Sequence, residues 1–392
     1  MKKNLLASTA ILLFTSFSAL ADGPTASLTG LFETEFGARD QKKAYNTINL
    51  SPNQKNMTTH TGANISAKVS GKADAGFTYG AVTTLQTTTE YTGTSAQRSY
   101  IFLESDLGRV EFGSNLSAAR QMRVSAGTIA RGSGGVDGNF GFYANLNMDG
   151  LLFKTNLNNY MDSISSGYSE DTRKITYFTP KIAGLQAGLS YTPDTTVNGT
   201  GIEYNALGDF GRHIKDNISL GLKYDNNFND LNIILSATGE FGKTAYNFSS
   251  PAIDKGKHNL TSWMFGAQAA HSGFSIAGSY GNISKKIFRY GYVNENSSIQ
   301  TPLSKDMKTW TAGIAYSKDD LGVSITYLGS EVPLYNYGKN SFDNLALSVD
   351  YKIAPGILPY VEVLTFKQKA AKNLNRPTNK GNIFMLGSQF TF

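Results

Sequence analysis

Four histidines, His60, His213, His258 and His271, are the only imidazoles in the chain, and no two stand at metal-ligand spacing. Their plain reading is as solvated loop or wall residues. No Gly-x-Ser-x-Gly elbow is present and no histidine accompanies a candidate nucleophile, so acyl-transfer chemistry lacks its base. With zero cysteines there is no thiolate nucleophile, thiolate metal site or disulfide framework. Glu33 and Glu35 share one face of a strand, but two carboxylates facing a wet channel tune ions rather than cleave bonds. The cluster Gly132-Ser-Gly-Gly-Val-Asp-Gly138 lacks the strand before it and helix after it that a phosphate-binding loop requires, leaving loop flexibility as its plain reading. The chain therefore reads as no enzyme, with no cofactor and no metal. Lysines and arginines are scattered in runs of at most two, which argues against nucleic acid as a partner.

The two ends say what must position the remaining charges. The run Asn382-Ile-Phe-Met-Leu-Gly-Ser-Gln-Phe-Thr-Phe392 alternates large apolar side chains with small or polar ones. In water, a terminal strand with Phe384, Leu386, Phe390 and Phe392 on one face would fray or aggregate. A lipid-facing strand that seals a closed barrel removes both problems. At the other end, Met1-Lys-Lys-Asn precedes an apolar stretch from Leu5 to Leu20 and a small-x-small site at Ala19-Leu-Ala21. Residues 1–21 read as a cleaved signal peptide, since the apolar core falls short of the ~20 residues of a spanning helix. Its removal lowers the formal net charge from +6 to +4, because Lys2 and Lys3 leave with no acid. Residues 22–392 are then a single barrel domain.

Period two dominates this domain. In Thr61-Gly-Ala-Asn-Ile-Ser-Ala-Lys-Val-Ser70, Ala63, Ile65, Ala67 and Val69 take one face and Asn64, Ser66 and Lys68 the other. The same alternation recurs at Leu220–Tyr224, Thr309–Tyr316, Val323–Tyr327, Leu345–Tyr351 and Val361–Phe366. A soluble sandwich also alternates. The connections distinguish the two: tight turns, as at Asp106-Leu-Gly108 and Ser272-Gly273, interleave with long polar links near 37–57, 88–96, 114–149, 193–216, 244–258, 285–307, 331–341 and 370–381. Brief turns on one side and long loops on the other are expected of an outer-membrane barrel. The expected fold is an all-β transmembrane antiparallel barrel of about 16 strands, each near the ~9–11 residues a tilted span needs. Gly150–Leu157 alternates like a strand, and if it and a partner both span, the count becomes 18. Either size leaves an aqueous lumen. Tyr79, Tyr100, Tyr177, Tyr191, Tyr224, Tyr280, Tyr316, Tyr327, Tyr351 and Tyr360 lie in or near strand ends, where amphipathic rings form interfacial girdles.

The longest link, Ser114 to Asp149, has no strong periodicity but many small residues: Ala118, Ala119, Ala126, Gly127 and Ala130. A loop folded inward against the wall would want such side chains, with its charges, Arg120, Arg123, Arg131 and Asp137, left for the aqueous gap. This third-loop position, the preceding Asp106-Leu-Gly-Arg-Val-Glu-Phe-Gly113 and the terminal phenylalanine resemble the trimeric general porins of Gram-negative outer membranes. The resemblance covers the mature chain as architecture and, as motifs, Gln97–Gly113 and the last strand. One departure is Ser114, where the family usually places an arginine.

The resemblance implies a constriction formed by the inward loop facing a basic ladder on the wall, with outer-membrane lipid around a homotrimer. Arg98 matches the position from which the fourth strand presents an arginine to the lumen. By strand parity Lys68, Arg109 and Lys174 also point inward, as do Glu33 and Glu35. In many relatives the loop is acidic; here three arginines precede one aspartate, so the pore leans toward anions if they line the gap and is weakly selective if they pair with the wall. The terminal strand, with Phe390 and Phe392, resembles the signal read by outer-membrane assembly machinery. The expected function is passive diffusion of small hydrophilic solutes and ions. Its rivals are a substrate-specific porin of eighteen strands and a non-channel surface barrel acting as adhesin or receptor.

Overall fold

A computed structural model describes residues 24–42, 56–74, 76–88, 94–144, 171–195, 212–246, 259–287, 291–292, 300–301, 304–372 and 377–392. The first strands are β1 (Thr25–Gln41), β2 (Met57–Lys72), β3 (Thr78–Thr88), β4 (Thr94–Ser105) and β5 (Gly108–Ser114). Then come β6 (Arg173–Phe178), β7 (Leu185–Asp194), β8 (Arg212–Phe228), β9 (Leu231–Tyr246), β10 (Asn259–His271) and β11 (Phe274–Ile283). A small ribbon, β12 (Gly291–Tyr292) and β13 (Gln300–Thr301), stands apart from the main sheet. The chain returns through β14 (Met307–Lys318), β15 (Leu321–Leu334), β16 (Gly338–Tyr351), β17 (Ile357–Lys369) and β18 (Asn379–Thr391).

All of these except the ribbon form one closed antiparallel barrel of sixteen strands, each beside its neighbour in sequence and β18 beside β1. Closure gives every strand two partners, so no edge faces hydrocarbon. Because β5 pairs directly with β6, Arg109 opposite Phe178 and Ser114 opposite Arg173, the ring is complete at sixteen rather than eighteen. The segment Gly150–Leu157 lies outside the described residues.

The tight turns fall at one end of the barrel. Two-residue hairpins need left-handed backbone to match strand twist, and Ser272-Gly273 supplies φ of 48° and 84°, while Asn229 and Asp319 stand at 55° and 52°. One expected long link is absent: β15 and β16 run through 331–341 and leave only Tyr335-Asn336-Tyr337 as the turn. The pairing continues because Val332 and Leu334 turn inward onto an apolar cluster, which rewards extending the hairpin.

Ile101, Phe112, Leu189, Phe265, Leu347 and Phe384 point outward and are between 43 and 63 % exposed, a density of bare apolar surface that only a bilayer tolerates. Tyr79, Tyr177, Tyr191, Tyr280 and Tyr351 join this outer face, as the girdle reading expects. Tyr360 does not. It points inward, is buried, and donates to Glu33 at 3.0 Å. A second difference concerns the inner face, where Leu364, Phe366, Ile383 and Met385 are buried opposite the lipid-facing row. The last strands thus carry apolar side chains on both faces, the pattern of a strand packed on both sides, rather than one apolar face and one wet one.

Phe392 seals the ring. Its N–H and C=O exchange bonds with Gly30 at 3.2 and 3.0 Å, and its ring stacks on Phe32 with centroids 6.0 Å apart. A Cβ at Gly30 would lie 2.5 Å from that ring. Gly30→Val should therefore displace Phe392 and destabilise the barrel by ~1–3 kcal/mol. The check is the temperature at which the compact barrel converts to unfolded chain on a detergent gel.

Candidate functional site: a loop fastened inside the barrel

After β5 the chain turns inward at Gly113, where φ is 134° and a Cβ would meet the Ser99 carbonyl at 2.5 Å. The root of the loop is tied at once. Asn115 and Gln121 donate to Glu111 at 2.7 and 3.3 Å, while Lys174 donates to the carbonyls of Asn115 and, at 2.7 Å, Thr172. A short helix, α1 (Ala118–Met122), follows, its Ser117 cap accepting from the Arg120 N–H. Single turns at Ala126–Thr128, Gly135–Asp137 and Asn139–Phe142 complete the described path.

This path follows the inner wall, and at strand after strand a small side chain receives it. Backbone N–H groups of Ala118, Ala119, Val124 and Ala126 donate to Ser190 of β7, Ser219 of β8, Ser236 of β9 and Thr311 of β14, at 2.8 to 3.1 Å. Arg131 and Val136 donate likewise to Ser324 and Thr326 of β15, at 2.9 and 3.2 Å. The wall is shaved to admit the loop: a Cβ at Gly266 would lie 2.0 Å from the Val124 carbonyl, and one at Gly221 would lie 2.7 Å from the Met122 sulfur. These hydroxyls each relieve a loop N–H that has no helix or sheet partner.

Where the glycine cluster turns, the receivers become carboxylates. Arg131 pairs with Asp350 at 2.6 Å, and the Gly132 N–H reaches the same carboxylate at 3.2 Å. Glu362 accepts from Ser133 at 3.0 Å, from the Gly135 N–H at 3.1 Å and from Ser348 at 2.7 Å. Gly135 has φ of 60° and a Cβ there would strike Thr326 at 2.4 Å, so glycine is required for this approach. Asn139 then bridges Glu33, at 2.7 Å, and Glu35. Arg39 of β1 holds the Tyr143 carbonyl at 3.1 Å, and Phe142 stacks on His60 of β2 with centroids 4.0 Å apart.

The charged site residues read from sequence lie on the lumen side, with Phe390 and Phe392 on the lipid side, but their roles divide. Arg98, Arg109 and Lys68 lie on the wall of β2 to β5. Arg98 pairs with Asp171 at 3.0 Å, Arg109 with Glu111 at 2.7 Å and Glu104 at 2.9 Å, and the Phe102 ring lies 4.1 Å from Arg109 and 5.3 Å from Lys68. Arg120 is half-buried on α1. Arg123 and Asp137 pair with each other across the loop at 3.2 Å, and Arg131 is held by the wall, so these three are partnered rather than open to the gap. Lys174, Glu33 and Glu35 are corrected in the same sense: Lys174 and Glu35 are buried, and both glutamates receive the loop instead of tuning a wet channel. A backbone N–H or amide needs an acceptor wherever it is dried, and the carboxylates nearest the loop are used up in that way. The hydroxyl receivers, with Asp350 and Glu362, escaped the sequence reading. Their signal is a small hydroxyl at inward parity between apolar residues, as in Leu189-Ser-Tyr191, Ile218-Ser-Leu220 and Val323-Ser-Ile-Thr-Tyr327.

Among the described residues no group of three or more His, Asp or Glu is placed to hold a metal ion, and no helix is long and apolar enough to cross a membrane. A lipid-faced closed barrel with one loop strapped to its inner wall defines a membrane-spanning β-barrel with a loop-occupied lumen. The chain belongs to the Gram-negative porin family, whose pattern matches residues 7–371. That family and this fold place it in the outer membrane. Relatives in Rickettsia bellii and Rickettsia felis, each described as an uncharacterised protein, are 31 and 28 % identical with full coverage of both chains. Among solved structures, an anion-selective porin from Comamonas acidovorans is similar with a TM-score of 0.62 at 13 % identity, over 94 % of this chain and 100 % of that one. The trimer form of OmpT, an outer membrane protein of Vibrio cholerae, is similar with a TM-score of 0.60 at 11 % identity, over 95 and 100 %.

Glu362 offers a direct test of the strapping. Glu362→Ala removes a charged acceptor from three donors and should cost ~1.5–3 kcal/mol for each bond not replaced by water. Faster tryptic cleavage at Arg123 and Arg131 should accompany the lower thermal stability. Glu104→Ala, which breaks an exposed ion pair, should change stability by less than ~1 kcal/mol and leave loop cleavage unaltered.

Proposed function

We propose that the protein is a water-filled channel through which small hydrophilic solutes and ions diffuse passively, with no catalytic step. The observation that carries this reading is the division of the inner wall: the loop is fastened along β7 to β18 and onto β1 and β2, whereas Lys68, Arg98 and Arg109 on β2 to β5 keep contact with solvent. A diffusion pore selects by radius and fixed charge, because its cargo must leave as readily as it enters. With Arg98, Arg109, Arg123 and Arg131 each beside an acid, the net field is modest, and Lys68, exposed on the wall of β2, tilts it toward anions. The Comamonas acidovorans structure described as anion-selective is similar in fold.

In this reading residues 1–21 are removed on export, residues 22–392 form the barrel and 114–149 the constriction loop. Three copies assemble side by side through β1 to β4. Support for that sector comes from outward hydroxyls paired with each other, Thr34 with Thr61 and Thr83 with Ser99, both at 3.2 Å, where a lipid contact would favour apolar side chains. Phe390 and Phe392 serve as the terminal signal for the outer-membrane assembly machinery.

In a planar bilayer the purified protein should insert in groups of three equal conductance steps and show a reversal potential displaced toward anions in a salt gradient. Arg120→Glu should move that potential toward cations, and an unchanged value would remove Arg120 from the gap. Complete absence of conductance would transfer the reading to a non-channel surface barrel acting as adhesin or receptor. Deleting Phe392 should lower the amount of barrel recovered in the outer membrane while leaving the conductance of inserted molecules intact.

A further inference from the structure

The lipid-facing skin of the barrel is interrupted on one side. Along β9 the outward positions run Leu235, Ala237, Gly239 and Phe241, so two in succession carry no bulk. In register beside them stand Leu222 and Leu220 of β8 on one side, and Phe265 and Trp263 of β10 on the other. Neighbouring strands lie ~4.8 Å apart, which sets the leucine wall and the aromatic wall ~10 Å from each other. Ala187 of β7, in register with Leu222, widens the floor toward Tyr177. The result is a groove of about 500 Å³, within the ~300–1,000 Å³ typical of small-molecule sites. Its aromatic wall is braced, since the Trp263 ring centroid lies 5.3 Å from that of Phe265 and 5.7 Å from that of Tyr280.

No charged residue lines the groove, and its hydroxyls are already used. Tyr177 donates to the Leu107 carbonyl at 2.6 Å, Thr179 to the Pro180 carbonyl at 3.0 Å and Thr238 to the Met264 carbonyl at 3.5 Å. The groove therefore has little with which to hold a polar ligand. Its floor includes Gly188 and Gly221, paired across β7 and β8, and the inner faces of these two receive Met122 of the loop. A Cβ at either glycine would lie 2.8 or 2.7 Å from the Met122 sulfur. Between the groove and the strapped loop the wall is bare backbone.

We propose that this groove holds one acyl chain of a membrane lipid, seated along β9 as a bound ligand distinct from the exchanging bilayer around it. The groove is continuous with the lipid-facing belt, for Leu189, Leu220, Leu222 and Phe265 at its margins are all exposed. Closure of the ring leaves no strand edge there for a peptide to extend. Hydrocarbon is already the solvent at this surface, so a chain gains no hydrophobic energy by leaving the bilayer for the groove, and what it gains is contact. An empty notch leaves the wall atoms without neighbours, whereas an unbranched chain lying between two leucines and two aromatic rings meets protein on three sides. That fit is one of shape, and an acyl chain has the shape.

The chain has two tryptophans, Trp263 in the groove and Trp310 on β14. Trp310→Phe leaves Trp263 as sole reporter. That variant, purified in detergent, is titrated with a phosphatidylcholine whose acyl chains carry bromine, a contact quencher of indole fluorescence. Quenching should saturate at one lipid per barrel. Adding Ala237→Leu, which fills the floor, should weaken the lipid's affinity on the order of 10-fold, the worth of about ten carbon contacts at optimal distance. Adding Ala312→Leu instead, at an exposed position on β14 away from the groove, should leave the titration unchanged. The compact band on a detergent gel verifies that each variant folds. Quenching that climbs with lipid and never saturates, or that is the same with and without Ala237→Leu, would reduce the groove to ordinary bilayer contact and overturn the proposal. In liposomes of the brominated lipid Trp263 should again be quenched; an unquenched Trp263 there would mean that a second protein covers the groove, and would overturn it equally. None of these readouts requires ions to cross the lumen, so failure of the channel reading would leave the lipid site standing.

Discussion

The bond pair between Gly30 and Phe392 is where the structure becomes possible. A sheet immersed in hydrocarbon cannot leave a row of N–H and C=O groups without partners, and only a ring removes both edges. Joining β1 to β18 makes the outer face a continuous apolar skin and, at the same stroke, encloses a space that water can enter. The lipid exposure of Ile101, Phe112 and Phe384 and the inward aim of Lys68 and Arg98 are both consequences of that closure. Strand parity does the sorting, since each residue that faces lipid obliges its neighbours to face the lumen.

Once a lumen exists, a second constraint follows. A loop drawn inside carries backbone donors into a place where neither helix nor sheet can satisfy them. The wall answers with serines and threonines on β7, β8, β9, β14 and β15, and with carboxylates on β1, β16 and β17. The change from hydroxyl to carboxylate coincides with the glycine turn, where several donors converge and a charged acceptor with two oxygens is the economical receiver. Small residues at Ala118, Ala119 and Ala126, all buried, bring the loop backbone close enough for these bonds.

The sequence alone yields the barrel, its even count and its closing strand, because period-two patterning and turn chemistry are local properties that a single strand displays. The inward aim of Arg98, Lys68 and Arg109 follows from the same parity. What escaped was the destination of the charges. Parity says that Glu35 points inward but not that Asn139, distant in sequence, will lie across it. Arg123 and Arg131 read as pore charges until folding brings Asp137 and Asp350 beside them. The inner apolar cluster was missed for a related reason. Ile383 and Met385 interrupt the alternation of the last strand, yet a doubly apolar strand reveals its second partner only when the loop is in place. The extended hairpin at 331–341 belongs to the same error, since its inward Leu334 finds a neighbour the sequence does not announce.

The receivers of the loop bind mostly its backbone. Ser190, Ser219, Ser236, Thr311, Ser324 and Thr326 each take an N–H that any residue but proline would offer. At these six points the bond is indifferent to the side chain it carries, whereas Arg131, Ser133 and Asn139 are also held through their side chains. A substitution at Arg120 would change the charge the loop presents while leaving those six bonds in place. Anchorage and charge are thus carried by different atoms of one loop, the first mostly by its backbone and the second by its side chains.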